Sequence, residues 1–176
     1  LFMGLSRMAS GAFVTIQILG PDVDEARLIP AADPTAEPML VEPRQPGLHY
    51  QVQEWNGQLV ILTDGDGALD GKLMTAPLDR PGRAHWQEWI AHEPGRHILE
   101  IRPLRDHLVR RQRRNGRLPV IAIPPSGGDE VRVAFDHAAY LFTLEPHPAS
   151  DPVLLPLRWH SPPPAPRPTA CTSAAP

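Results

Sequence analysis

The sequence has a single cysteine, Cys171, so no internal disulfide can form and a small, covalently stapled secreted scaffold is excluded. Long hydrophobic runs are also missing. No stretch approaches the roughly 18 to 20 apolar residues that span a bilayer, and no basic segment followed by an apolar core opens the chain. No membrane partner is therefore expected, and the expected location is cytoplasmic. An excess of either charge is lacking too: a formal net charge of -3 falls short of the positive surplus that phosphate recognition draws on, which argues against a nucleic-acid partner. Helical periodicity is almost absent. The 23 prolines leave little room for long helices, because proline has no N–H to donate and is confined to turns, edges and first helical positions.

What the chain does have is short runs of alternating or β-branched apolar residues, each closed by Gly, Pro, Asn or Asp, the pattern of many short antiparallel strands. A strand is expected at the opening Leu1 to Leu5, and others near Ala12–Leu19, Glu25–Ile29, Tyr50–Trp55, Gln58–Thr63, Lys72–Ala76 and Ile98–Leu104. His107–Arg113, Leu118–Ile123, Glu130–Ala134, Tyr140–Leu144 and Val153–Trp159 follow. Asn56-Gly57, Arg105-Asp106 and Asn115-Gly116 supply tight-turn signals. Equivalent second strands begin near Ala12, Gln58 and His107, at intervals of about 46 and 49 residues. A period of about 40 to 50 with four strands per unit is the signature of propeller blades.

The expected fold is therefore all-β, a partial β-propeller occupying residues 1–160. It holds about three four-stranded antiparallel blades, Leu1–Glu42, Leu48–Ile90 and Arg96–Ala134, with Tyr140–Trp159 supplying the start of a fourth. A closed ring typically takes four to eight blades, so an open arc with bare edges is expected. Residues 161–176 are rich in Pro, Ala, Ser and Thr without apolar alternation, and a disordered tail is expected there.

No catalytic, cofactor-binding or metal-binding residue is assigned. Gly4-Leu5-Ser6-Arg7-Met8 lacks the last glycine and the following helix of a nucleophile elbow, whose strained turn presents the serine; Ser6 reads as a strand-end residue. Asp64, Asp66 and Asp70 are spaced like hard-cation ligands, but Ala68 and Leu69 occupy positions where a calcium loop needs an oxygen and a glycine. A turn with positive φ at Gly65 and Gly67 accounts for that composition. His85, His92 and His97 lack the close pairing of zinc ligands. Arg102, Arg105, Arg110, Arg111, Arg113, Arg114 and Arg117 form one conspicuous cluster, read as a solvated hairpin face whose arginines pair with acids of the complete protein. Trp55, Trp86, Trp89 and Trp159 are expected to pack between blades.

Leu59–Asp79 (LVILTDGDGALDGKLMTAPLD), Pro94–Pro119 (PGRHILEIRPLRDHLVRRQRRNGRLP) and Val133–Pro146 (VAFDHAAYLFTLEP) resemble the propeller of the oligopeptidase B branch of the prolyl oligopeptidase family. Glu25–Gly57 is similar to it as well. Gly20–Glu25 departs from the family's usual turn, and Pro162-Pro163-Pro164 replaces the family's continuation after Arg158-Trp159, an ending expected of out-of-frame translation of GC-rich sequence. The resemblance implies a gating propeller that, in the full enzyme, covers an α/β-hydrolase domain and admits short peptides for cleavage after Arg or Lys. It implies hydrolase chemistry by a serine peptidase whose triad belongs to that other domain, with no cofactor. The competing expectation is a stand-alone protein-binding module built on the same scaffold.

Overall fold

A computed structural model of the chain describes residues 1–133, together with the backbone of 142–144 and 157–159. Its strands are β1 (Phe2–Arg7), β2 (Phe13–Leu19), β3 (Asp24–Pro30), β4 (Met39–Glu42), β5 (Tyr50–Trp55), β6 (Gln58–Thr63), β7 (Lys72–Pro77) and β8 (Gln87–Ile90). They continue with β9 (Arg96–Pro103), β10 (Leu108–Arg114), β11 (Val120–Ile123), β12 (Val131–Arg132), β13 (Phe142–Leu144) and β14 (Leu157–Trp159). The first twelve form three four-stranded sheets, β1–β4, β5–β8 and β9–β12, each an antiparallel meander in chain order, and β13 pairs with β14. This is the expected blade layout, with two strands of a further unit. The tail at 161–176, and the side chain of Trp159, lie outside the described residues.

Tight turns set the register. Asn56 and Gly57 both take positive φ, 52° and 75°, as do Asn115 and Gly116, 51° and 70°, the mirror-image turn whose twist matches that of antiparallel strands. Trp55 accordingly pairs with Gln58 and Tyr50 with Thr63 without a slip. Two strands escaped the sequence reading. Met39–Glu42 and Gln87–Ile90 are four residues each, too short to display a period, and each joins its sheet through a register shift.

Because side chains alternate across a strand, the middle sheet feeds two cores. Leu59 and Ile61 of β6, with Met74 and Ala76 of β7, join Ala26, Leu28 and Val41 of the first sheet in one cluster. Val60, Leu62 and Leu73 point the other way and join Ile98, Ile101, Leu108, Ile121 and Ile123 of the third sheet in another. The first strands of the second and third sheets, β5 and β9, approach within 8 Å between Cα atoms, as blades do around a common axis.

Candidate functional site: the seams between the sheets

The seam between the first and second sheets is built on Tyr50, the opening residue of β5. Its hydroxyl donates to the Glu42 carbonyl at 2.7 Å and accepts from the Ala26 N–H at 2.8 Å. Its ring meets Trp86 edge-on at 5.6 Å between centroids. Burial pushes the phenol up to about 12, since no counter-charge compensates the phenolate's lost hydration. Buried Asp24, at the start of β3, accepts from the Tyr50 N–H at 3.1 Å and lies 3.3 Å from His49 Nδ1. Gln17 Nε2 donates to the Tyr50 carbonyl at 3.0 Å. The role of Asp24 was not read from the sequence, because it rests on a hydrogen bond to a residue of the next sheet.

A second polar group ties the same seam at its rim. Glu42 Oε2 accepts from the Arg83 N–H at 2.8 Å, and Arg83 Nη1 and Nη2 donate to Gln45 Oε1 at 3.1 Å and Asp66 Oδ1 at 2.7 Å. Lys72 Nζ reaches the other Asp66 oxygen at 2.9 Å. Lys72, by its hydrogen bond first and then its charge, with Arg83 adding to it, holds the Asp66 carboxyl below the ordinary carboxylate range.

The seam between the second and third sheets is organised around Trp55, whose indole donates to the Leu104 carbonyl at 2.6 Å and lies 5.9 Å from the Trp89 ring. Asp70 crosses this seam: its Oδ2 accepts from the Gly95 N–H at 2.7 Å and its carbonyl from the Ile98 N–H at 2.8 Å.

The residues weighed as candidates in the sequence occupy separate places in the structure. Ser6 lies within β1 opposite Thr15, exposed and far from any strand-to-helix turn. Asp64, Asp66 and Asp70 diverge: Asp64 Oδ1 accepts from the His49 N–H at 2.8 Å, Asp66 takes Lys72 and Arg83, and Asp70 takes Gly95. In that turn Gly67 has positive φ, but its partner is Asp66, at 59°, and not Gly65. Gly65 is there for space, since a Cβ would come within 3.1 Å of Leu48 Cδ1. His92 and His97 flank Asp70, with nitrogens 4.0 and 3.5 Å from its two oxygens, whereas His85 stands exposed on the 3-10 turn Arg83–His85.

Among the described residues, Arg102, Arg105, Arg110, Arg111 and Arg114 of the arginine cluster pair with acids of this chain. Glu100 takes Arg102 at 2.6 Å and Arg111 at 3.0 Å, Glu93 takes Arg114 at 2.7 Å, and Asp106 takes Arg105 at 3.4 Å. Arg110 corrects the expectation of a wholly solvated face. Its side chain is only 1% exposed, with Nη2 2.8 Å from Glu130 and its Nε and Nη1 without a hydrogen-bond partner among the described residues. Burial pulls its guanidinium below the ordinary value, against the opposing pull of Glu130. Trp55 and Trp89 pack in the second seam and Trp86 in the first, as expected.

The first sheet's far side carries an exposed apolar face. Met3 and Leu5 pair with Ile18 and Ile16, and Val14 pairs with Ile29, so these six share the face turned away from the second sheet. Met3 and Leu5 are 67% and 68% exposed.

Residues 1–150 match the profile of the prolyl oligopeptidase N-terminal β-propeller domain. Among curated proteins the chain is similar to dipeptidyl aminopeptidase BI of Pseudoxanthomonas mexicana, 29% identical over 147 residues, covering 84% of this chain and 20% of that protein. Protease 2 of Moraxella lacunata is 28% identical over 137 residues, covering 77% and 19%. Among solved structures, oligopeptidase B from Leishmania major superposes with a TM-score of 0.72 at 23% identity, covering 81% of this chain and 21% of that one. The chain thus spans about a fifth of the length of the curated relatives it matches. Its repeated four-stranded sheets, and a family match across most of its length, make it a member of the prolyl oligopeptidase family, as part of the N-terminal β-propeller domain.

Proposed function

We propose that this segment forms part of the substrate-gating propeller of an oligopeptidase B-like serine peptidase, a cytoplasmic enzyme whose full form cleaves short peptides after Arg or Lys. The observation that carries the proposal is the family match over residues 1–150. In this reading the segment shapes access to the catalytic site. Attack on a peptide bond requires a nucleophile, a base and oxyanion donors held together, and these belong to the hydrolase domain of the full enzyme.

The test pairs two preparations, the chain by itself and the complete polypeptide that carries it, with fluorogenic peptides ending in Arg, Lys or Pro. The complete protein is expected to turn over the Arg and Lys substrates, and a serine-directed phosphonate is expected to label it outside residues 1–176. The chain alone is expected to be inert. Turnover by the chain that disappears in Ser6→Ala would overturn the proposal, and a preference for Pro would overturn its specificity. A complete polypeptide with no hydrolase activity and a tight protein partner would favour the binding-module reading.

A further inference from the structure

Two turns of this chain carry the same dipeptide in the same backbone conformation, Asn56-Gly57 between β5 and β6 and Asn115-Gly116 after β10. All four residues are exposed. An asparagine followed by glycine has an intrinsic chemical weakness, because the unhindered glycine nitrogen can attack the side-chain carbonyl carbon. Exposure and turn type are matched here, so the surroundings of that nitrogen decide the difference.

The Gly57 N–H donates to Glu54 Oε1 at 3.1 Å, and Glu54 is buried. A carboxylate at that position holds the proton that must leave and opposes the negative charge the nitrogen must acquire. The Gly116 N–H has no acceptor among the described residues. Arg114 is paired with Glu93 at 2.7 Å, but Arg113 and Arg117 flank it in sequence, and their positive charge favours a deprotonated nitrogen. The flanks differ in the same direction. Trp55 is buried and its indole is bonded to Leu104, which anchors the first turn. Beyond exposed Arg113 and Arg114, the second is closed by reciprocal bonds between Arg114 and Arg117, at 2.9 and 3.0 Å. The rotation that brings nitrogen to carbon therefore costs less in the second turn.

We propose that Asn115 is a site of spontaneous deamidation in the folded protein, while Asn56, in the matching turn, is protected by Glu54. The Gly116 nitrogen gives its proton to solvent and bonds to Asn115 Cγ, and the Cγ–Nδ2 bond breaks with release of ammonia. Water then opens the five-membered imide at either carbonyl, leaving Asp or iso-aspartate at 115. One water is consumed and one ammonia released. The product places a carboxylate among the hairpin arginines, and the iso form adds a backbone carbon that the turn cannot hold.

The full chain is incubated at neutral pH and physiological temperature and followed by peptide mapping, with iso-aspartate distinguished by fragmentation. Asn115 is expected to convert about tenfold faster than Asn56, a barrier difference of about 1.4 kcal/mol, and the ratio is expected to collapse toward one in urea, where both turns are lost. Equal rates without urea, or faster conversion at Asn56, overturn the proposal. Glu54→Gln is expected to bring Asn56 toward the Asn115 rate while leaving Asn115 unchanged; an unmoved Asn56 overturns the protective role of Glu54. If both sites in that variant jump to their urea rates, the fold has been lost, and the exposed Arg117→Gln variant decides instead. There, slower conversion at Asn115 alone supports the proposal, and an unchanged rate overturns the role given to the arginines.

Discussion

Strands β2 and β6 use the same alternating apolar residues but occupy different surroundings. In β6 the odd positions Leu59 and Ile61 enter one core and the even positions Val60 and Leu62 another, so the strand is buried on both faces. In β2, Thr15 faces the second sheet and is buried, whereas Val14, Ile16 and Ile18 point away and are only half-buried. Alternation therefore specifies that a strand has faces; whether a face is worth anything to stability depends on what lies across from it. The hydrophobic contribution scales with area removed from water, and the first sheet's far side removes little.

That contrast can be broken by mutation. The largest effect is expected from Ile61→Ala, which opens a cavity at a fully buried position and should cost about 2 to 5 kcal/mol in urea unfolding. A loss below about 1 kcal/mol would mean that this face of β6 is not packed against the first sheet.

Tyr50→Phe comes next. It strips an acceptor from the Ala26 N–H and a donor from the Glu42 carbonyl, at a cost of about 1 to 3 kcal/mol. The same residue fixes an alkaline limit. Its phenol, near 10 when unfolded, is pushed up to about 12 in the fold. Its stabilisation is thus complete below pH 10 and lost as pH rises through 12, by roughly 2 to 3 kcal/mol. Stability measured between pH 9 and 12 should fall in the parent and, in the Phe variant, lose that component. Identical slopes would contradict the assignment.

The smallest effect is expected at Leu5→Ser on the bare face, within about 0.5 kcal/mol in the chain by itself. In a longer polypeptide where another sheet covers this face, the same change should cost several times more. A large loss in the chain alone would show that the face is already covered, and the contrast between β2 and β6 would fail.

Much of the fold was legible in the residues. Asn-Gly pairs require positive φ and announce hairpins, and the spacing of second strands revealed the blades. Local signals failed where strands were shortest: β4 and β8 have four residues each and gain their identity from pairing with β3 and β7. The turn at 64–71 was recognised, but not its backbone. Asp66 adopts the left-handed conformation where glycine was expected, with its carboxylate fastened to Lys72 and Arg83. Arg110 was assigned to a solvated face with the rest of its cluster, and Arg113 and Arg114 are indeed exposed at the end of β10; Arg110 sits in the middle of the strand on the same side as buried Leu108 and Gln112.

The sequence by itself determined the all-β class, the length of the repeat and the conformation of its two Asn-Gly turns, because these rest on contacts and φ preferences within a few residues of chain. Only the tertiary structure decided which face of each strand is buried, that Tyr50 and Asp24 close a seam, and that Arg102, Arg110, Arg111 and Arg114 find acids within this chain. Those outcomes depend on partners far apart in the chain, 26 residues between Tyr50 and Asp24 and 49 between Trp55 and Leu104, and on burial that no single strand can provide.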